Sequence, residues 1–242
     1  MPIHEPEAGP TWAERAELSQ LASVLDPTGQ EAKNILIDRV QKRALDPVVR
    51  RDRGARALDF GCGTGRLTGW LADRGLEVEG VDASPEMILA AQRFLPNIRF
   101  AVADDRRLPY EAGVFDVVFS VGVLQYFTKT ADGLVGALAE LRRVATRDGG
   151  RVVVIEQAHD GGLGRGTSVD GYLESFADAG LARVEAVPIR RSDCRAAAFV
   201  PRFPLLARAP GLPQAILRDA RRRRRVPLTE GRYADVLFVA QT

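Results

Sequence analysis

The stretch ALDFGCGTGRLTGWLADRG, residues 57–75, decides the fold predicted for this chain. An apolar run ends at Asp59, three glycines then alternate with other residues, and a helical pattern begins. Glycine has no side chain, so a turn of this kind lets the backbone wrap closely around a nucleotide-like ligand. The rest of the sequence has to show which ligand that is.

Strand-like and helix-like segments alternate five times along the chain, which is typical of a parallel sheet with helices on both faces. Two further strands close the chain. The sequence therefore predicts an α/β fold, Rossmann-like, with a seven-stranded, mostly parallel sheet. The strand segments are RALDF (56–60), EVEGVD (77–82), IRFAVAD (98–104), FDVVFSVG (115–122), GRVVVIE (150–156), ARVEAVPI (182–189) and YADVLFVAQ (233–241).

We predict a single domain over residues 1–242. Apolar residues recur three and four apart in the first part of the chain, so 1–50 is expected to form an N-terminal helical cap. Residues 51–190 and 233–242 form the ligand-binding core. The insert, residues 191–232, joins the last two strands. If the last strand runs opposite to the strand before it, the insert starts and ends at the ligand edge of the sheet, and we expect it to cover the active site.

The composition excludes several classes of protein. A net charge of +2 does not indicate a nucleic-acid binder. No run of about 18 apolar residues is present, and the polar, acidic beginning of the chain is unlike a secretory signal. Cys62 and Cys194 form no metal-binding pattern, and no metal is expected. A cytoplasmic location fits these features.

Three kinds of site compete for the glycine turn. A phosphate-binding loop would need a lysine after its last glycine, and none follows. A dinucleotide site would place its third glycine where Arg66 stands, and Asp59 is unusual there. A nicotinamide-dependent oxidoreductase stays open as a rival on this basis.

The third possibility rests on a longer series of motifs. LDFGCGTG, GVDASPEMI, ADDRRLPYEAGVFDVVFSVGVLQYF and LAELRRVATRDGGRVVVIE together cover about residues 56–156. In order and spacing they resemble the class I S-adenosylmethionine (SAM)-dependent methyltransferases, in particular the small-molecule enzymes of the quinone-biosynthesis type. The resemblance implies SAM as the cofactor and S-adenosyl-L-homocysteine as its product. It also implies that the last strand of the seven-stranded sheet is antiparallel.

The resemblance also implies a role for individual residues. Asp82, at the end of the second strand, would accept both ribose hydroxyls in a fork, although such an acid can also cap a helix. Asp59 would lie near the amine of SAM, and Asp104 and Asp105 near the adenine. Met87 would contact the adenine or simply belong to the core, as would Leu108. The implied cofactor-binding residues are Asp59, Gly61, Cys62, Gly63, Asp82, Ala83, Met87, Asp104, Asp105, Ser120 and Val121.

His159 is the candidate catalytic base. It follows the fifth strand and so lies at the carboxyl edge of the sheet, although a solvated loop histidine is an open alternative. Related quinone and small-molecule methyltransferases often carry a histidine where this chain has Gln125 and Tyr126. Gln125, Tyr126 and Trp12 are expected to bind substrate instead.

The expected reaction is methylation of a small molecule, with oxygen methylation of a hydroxyl on a sugar or secondary metabolite favoured. N- or C-methylation, or a SAM-binding protein of this fold that transfers no methyl group, are the alternatives. The Asn-Pro-Pro-aromatic signature of amino-group methyltransferases is missing after the fourth strand. The run Arg221 to Arg225 suggests an anionic partner or a peripheral membrane contact, or a solvated helix end. Nothing indicates the oligomeric state.

Overall fold

The computed structural model describes residues 10–25, 30–103, 107–128, 131–159, 167–226, 228 and 232–242. Seven strands form one sheet in this part of the chain. They are β1 (Arg56–Phe60), β2 (Glu77–Asp82), β3 (Arg99–Val102), β4 (Val117–Val121), β5 (Arg151–His159), β6 (Ala182–Arg191) and β7 (Tyr233–Gln241).

The helices lie around this sheet, and local sequence explains where several of them begin. The helix that contains Met87 starts after Ser84, whose hydroxyl accepts from the Met87 N–H, and Pro85 takes its first position. The helices are α1 (Trp12–Ala16), α2 (Gln20–Val24), α3 (Glu31–Val49), α4 (Arg66–Ala72), α5 (Pro85–Phe94), α6 (Ala131–Val144), α7 (Val169–Asp178), α8 (Arg195–Ala198) and α9 (Leu212–Arg222), with 3₁₀ turns at Leu124–Tyr126 and Pro204–Arg208.

The strand order is β3-β2-β1-β4-β5-β7-β6. β1 pairs in parallel with both β2 and β4, while β7 is antiparallel to β5 and β6. The predicted seven-stranded, mostly parallel sheet with an antiparallel last strand is thus confirmed. The order reverses between β1 and β4, and ligands of open α/β sheets bind at such a switch point, outside the carboxyl ends of the strands.

Each face of the sheet carries its own apolar core. On one face, Leu58 and Val118 pack with residues of α6 and α7. On the other face, Ala57 and Phe119 pack with residues of α3, α4 and α9. Neighbouring residues of one strand point to opposite faces, so buried strands that are apolar throughout can serve both layers.

No helix within the described ranges is both long enough and apolar enough to cross a membrane. Cys62 and Cys194 are buried and form no disulfide. Burial raises the pKa of the Cys62 thiol, so this side chain stays a neutral part of the packing beneath the glycine turn.

Candidate active site

A cavity of about 640 Å³ opens at the carboxyl ends of β1, β2, β4 and β5. The glycine turn after β1 forms its floor, and residues of α1, α2 and α3 contribute to its walls. The cavity therefore lies where the strand order reverses, as expected for a ligand site of this fold.

The glycine turn is packed so tightly that side chains do not fit. Gly61 and Gly63 have φ values of 70° and 54°, in the left-handed region that favours glycine. A Cβ on Gly61 would lie 2.3 Å from Cγ2 of Val123, and one on Gly63 would lie 2.5 Å from Cγ1 of Val24. The turn is thus enclosed by the loop after β4 and by α2, with its backbone left bare toward the cavity.

Asp82 fixes this turn from the end of β2. Its Oδ2 accepts from the Gly63 N–H at 2.8 Å, and its Oδ1 accepts from the Ser84 N–H at 2.9 Å. Burial raises the pKa of the Asp82 carboxyl, and these N–H groups oppose the shift. Asp82 lines the cavity, so the carboxylate both orders the start of α5 and faces the ligand space.

Asp59 is a second buried acid facing the cavity. Its Oδ2 accepts from the Thr68 hydroxyl at 2.6 Å. Burial raises the pKa of Asp59 to about 6, although the bond from Thr68 and the nearby Arg66 lower it. At neutral pH this side chain supplies negative charge close to the glycine turn.

Arg66 has a role that the sequence analysis missed. Its buried guanidinium donates to Asp38 Oδ1 at 2.6 Å and to Gln41 Oε1 at 3.0 Å, both on α3. The N-terminal helices are thereby tied to the first turn of α4. The only sign of this role in the sequence was that Arg66, a charged residue, stands where a dinucleotide site would have glycine.

Four polar side chains from β5, β6 and β7 together form one wall of the cavity. His159, the last residue of β5, pairs with Tyr233 at the start of β7, and their ring centroids are 5.7 Å apart. The buried Arg190 donates to Asp235 through Nε at 2.7 Å and Nη2 at 3.0 Å, and its Nη2 is 3.4 Å from the Tyr233 hydroxyl. All four residues line the cavity.

The Nε2 atom of His159 is buried and has no hydrogen-bond partner among the described residues. An unpaired buried nitrogen costs free energy, so a ligand group that bonds to it would gain that stabilisation. Because the residue also lines the cavity, His159 stays the candidate base.

Glu156 was also missed by the sequence analysis. Its Oε1 accepts from the N–H groups of Val123 and Leu124 at 2.7 and 2.6 Å, and Oε2 accepts from that of Gln125 at 3.4 Å. Burial raises the pKa of Glu156 to about 8, against the opposing effect of these bonds. The acid that ends the apolar run of β5 thus holds the 3₁₀ turn at the cavity.

The predicted substrate-binding residues come together at this turn. Trp12 of α1 and Tyr126 meet edge to face, with ring centroids 5.7 Å apart. The amide of Gln125 donates to the Gly122 carbonyl at 2.9 Å. All three side chains line the cavity, so it has an aromatic edge as well as the polar wall.

The structure separates the other predicted site residues into three groups. Cys62, Ala83, Met87 and Val121 line the cavity. Ser120 is fully buried behind it, while Leu108 belongs to the core. Asp104 and Asp105 lie outside the described residues, so their predicted adenine contacts stay predictions.

The insert does not lie where topology suggested. None of the described residues of 191–232 lines the cavity, and α9 packs instead against α3 and β6. The reason is the amphipathic pattern of α9, whose buried residues Ile216, Leu217 and Ala220 need an apolar partner surface. The expectation that the insert covers the cavity is therefore not met by its described part.

Known proteins match this chain in sequence and in fold. Residues 57–149 match the family model described as "Methyltransferase domain". A demethylmenaquinone methyltransferase of Beutenbergia cavernae is 36% identical over 120 residues, 50% of this chain and 48% of that protein. A malonyl-[acyl-carrier protein] O-methyltransferase of Enterobacter lignolyticus is 33% identical over 124 residues, 50% of this chain and 47% of that protein. The chain spans about half the length of these curated relatives.

A solved structure extends the match in fold to most of the chain. It is a geranyl diphosphate C-methyltransferase of Streptomyces coelicolor in complex with Mg²⁺, geranyl diphosphate and S-adenosyl-L-homocysteine. Its TM-score is 0.60 at 19% identity, and the match covers 90% of this chain and 86% of that one. At this identity the likeness shows a common fold.

Proposed function

We propose that this chain transfers a methyl group from SAM to a small molecule. Its residues 57–149 match the methyltransferase domain model, and its fold is that of a solved methyltransferase. One observation carries the proposal. The bare backbone of the glycine turn and the Asp82 carboxylate face the same cavity, held together by the bond from the Gly63 N–H.

The residues present fit SAM. The carboxylate of Asp82 can accept from two vicinal hydroxyls, as a ribose offers. Asp59 supplies negative charge for an ammonium group. Gly61 and Gly63 line the cavity with backbone alone, so a ligand can approach the turn closely. Cys62, Ala83, Met87 and Val121 complete the cofactor side of the cavity, and Asp104, Asp105 and Ser120 are retained as predicted contributors.

The polar wall supports a hydroxyl acceptor. When bound, SAM would supply a methyl carbon to the acceptor oxygen, with its sulfur as the leaving group. His159 would take the proton of the acceptor hydroxyl. The edge formed by Trp12 and Tyr126 holds the acceptor in line, and such positioning supplies much of the catalysis of a displacement with a good leaving group.

The acceptor is proposed to be a hydroxyl of a sugar or secondary metabolite. The relatives named for demethylmenaquinone and malonyl-[acyl-carrier protein] add quinol-like and acyl substrates to that choice. N- or C-methylation is the alternative, as is SAM binding without methyl transfer.

The test is release of S-adenosyl-L-homocysteine from SAM in the presence of panels of phenols and quinols, sugars, carboxylic acids and amines. The proposal expects release with at least one hydroxyl compound and a methyl ether as the second product. Release with amines only would overturn oxygen methylation. SAM binding without release on any panel would favour the protein that transfers no methyl group.

A further inference from the structure

The part of the insert from Cys194 to Val226 is strongly basic. It contains nine arginines and one acid, Asp219, a formal charge of +8 in a chain whose total is +2. Only Arg223 among these arginines pairs with acidic side chains of the described residues, Asp193 and Asp219. Most of the positive charge is therefore left to interact with something outside the fold.

The same segment exposes bulky apolar side chains. Phe199, Phe203 and Leu205 are 54%, 52% and 84% exposed. They do not lie on a loose tail, because the N–H of Phe203 bonds to the Phe199 carbonyl and that of Leu206 to the Phe203 carbonyl, both at 2.9 Å. A folded turn thus holds several apolar groups in water, which costs free energy unless a partner covers them.

Helix α9 carries the arginines beside this turn. Its apolar side, with Ile216 and Ala220, is buried, while Arg218, Arg221 and Arg222 are exposed. The helix contacts α8 and the 3₁₀ turn Pro204–Arg208. The basic helix side and the exposed apolar turn therefore belong to adjoining elements.

We infer that residues 194–226 form a docking surface for an anionic lipid membrane. Arginines attract acidic headgroups, and each basic side chain near such a surface contributes about 1 kcal/mol. Phe203 and Leu205 enter the boundary between headgroups and acyl chains, as the apolar face of an interfacial element does. A nucleic-acid backbone would pair with the arginines but leave these apolar groups in water. The inference does not depend on the methyl transfer proposed above.

The test is sedimentation of the full chain with vesicles of phosphatidylcholine alone and of phosphatidylcholine mixed with phosphatidylglycerol. We expect binding to the mixed vesicles, weaker binding to the neutral ones and loss of binding at high salt. The variant Arg221→Gln/Arg222→Gln/Arg225→Gln should weaken binding to mixed vesicles by about tenfold or more.

An apolar variant tests the second half of the surface. Phe203→Ser/Leu205→Ser should weaken binding to mixed vesicles at every salt concentration, because insertion of apolar groups is less screened by salt than charge attraction. Its matched control is Leu89→Ser/Phe94→Ser, since these apolar side chains on α5 are also half or more exposed.

Exposed arginines outside the insert provide the charge control, Arg51→Gln/Arg53→Gln/Arg147→Gln. Both control variants should bind like the wild type. Unchanged thermal unfolding would show that all variants are folded. Failure of the wild type to bind mixed vesicles would overturn the inference, even if it bound nucleic acid or an acidic protein. Equal binding by insert and control variants would overturn it as well.

Discussion

The rings of His159 and Tyr233 face each other across the β5–β7 pair with centroids 5.7 Å apart. The pairing of an antiparallel last strand with β5 is what brings Tyr233 to the candidate base. Arg190, from the neighbouring β6, closes the group from the other side through its contacts to Tyr233 and Asp235. The end of the sheet thus builds a polar wall from residues far apart in the chain.

Replacing the candidate base should remove turnover and spare cofactor binding. For His159→Gln we expect kcat to fall by about a hundredfold or more, the usual contribution of a general base. The affinity for S-adenosyl-L-homocysteine should change less than about twofold, since His159 is proposed to act on the acceptor alone. Steady-state kinetics and calorimetry measure the two effects. The control variant is His4→Gln, at the chain's other histidine. Full turnover in His159→Gln would show that His159 is not the catalytic base.

The glycine turn should tolerate no side chain at Gly61. Gly61→Ala combines an unfavourable φ with a clash against Val123, whereas Gly113→Ala meets a similar φ of 73° with its nearest atom at 3.9 Å. Gly113→Ala should lower the free energy of unfolding by about 1 kcal/mol, and Gly61→Ala by about 2 kcal/mol more. Urea unfolding measures both. Adding Val123→Ala should return part of the loss, and equal losses in the two glycine variants would contradict the packing argument.

The buried pair of Arg66 and Asp38 should matter most when one partner is removed. Among the described residues, Arg66→Met leaves the Asp38 carboxylate with Lys42 alone as an ionic partner. We expect it to lower the free energy of unfolding by about 3 kcal/mol. The double variant Arg66→Met/Asp38→Leu should recover most of this loss.

The pair of Arg99 and Glu79, in which the arginine side chain is 76% exposed, is the reference for that prediction. Arg99→Met should cost less than about 1 kcal/mol, because water screens an ion pair whose cation is exposed. Chemical unfolding of the three variants gives the comparison. A loss for Arg66→Met no larger than that for Arg99→Met would show that the link between α3 and α4 is not stabilising.

Stability should depend on pH through Glu156. Its pKa is raised from 4.5 to about 8 in the folded protein, so the folded state holds a proton that the unfolded state has lost between these values. The free energy of unfolding should therefore fall as the pH rises from 4.5 to 8. Glu156→Gln keeps an oxygen for the N–H groups of the 3₁₀ turn and should flatten this dependence. An unchanged slope in denaturant titrations of the variant across this pH range would contradict the assignment.

Much of the fold could be predicted because its signals are local. The apolar strands β1 and β2, the glycines between them and the cap at Ser84 are each written in a few consecutive residues. Asp82 could be identified as a candidate site residue because it ends β2, and the carboxyl ends of parallel strands meet at one edge of the sheet. The antiparallel position of β7 followed from the resemblance to the methyltransferase family.

The parts that could not be predicted depend on contacts between distant residues. Arg66 meets Asp38 only after α3 has packed beside α4. Glu156 meets the 3₁₀ turn only after β4 and β5 have paired. The described part of the insert packs away from the cavity because topology fixes only where the insert starts and ends, whereas the apolar side of α9 decides the surface on which this helix packs.

The central claim is that the cavity beside Asp82 binds SAM. Calorimetric titration of the wild type with SAM, S-adenosyl-L-homocysteine and NAD⁺ tests it most directly, with Asp82→Ala as the variant and the exposed Glu77→Ala as its control. We predict one site for SAM and its product, unchanged in Glu77→Ala. The affinity of this site should fall about a hundredfold in Asp82→Ala, because two hydrogen bonds to a charged group contribute about 1.5 kcal/mol each. Tight binding of NAD⁺ with no binding of SAM would contradict the account.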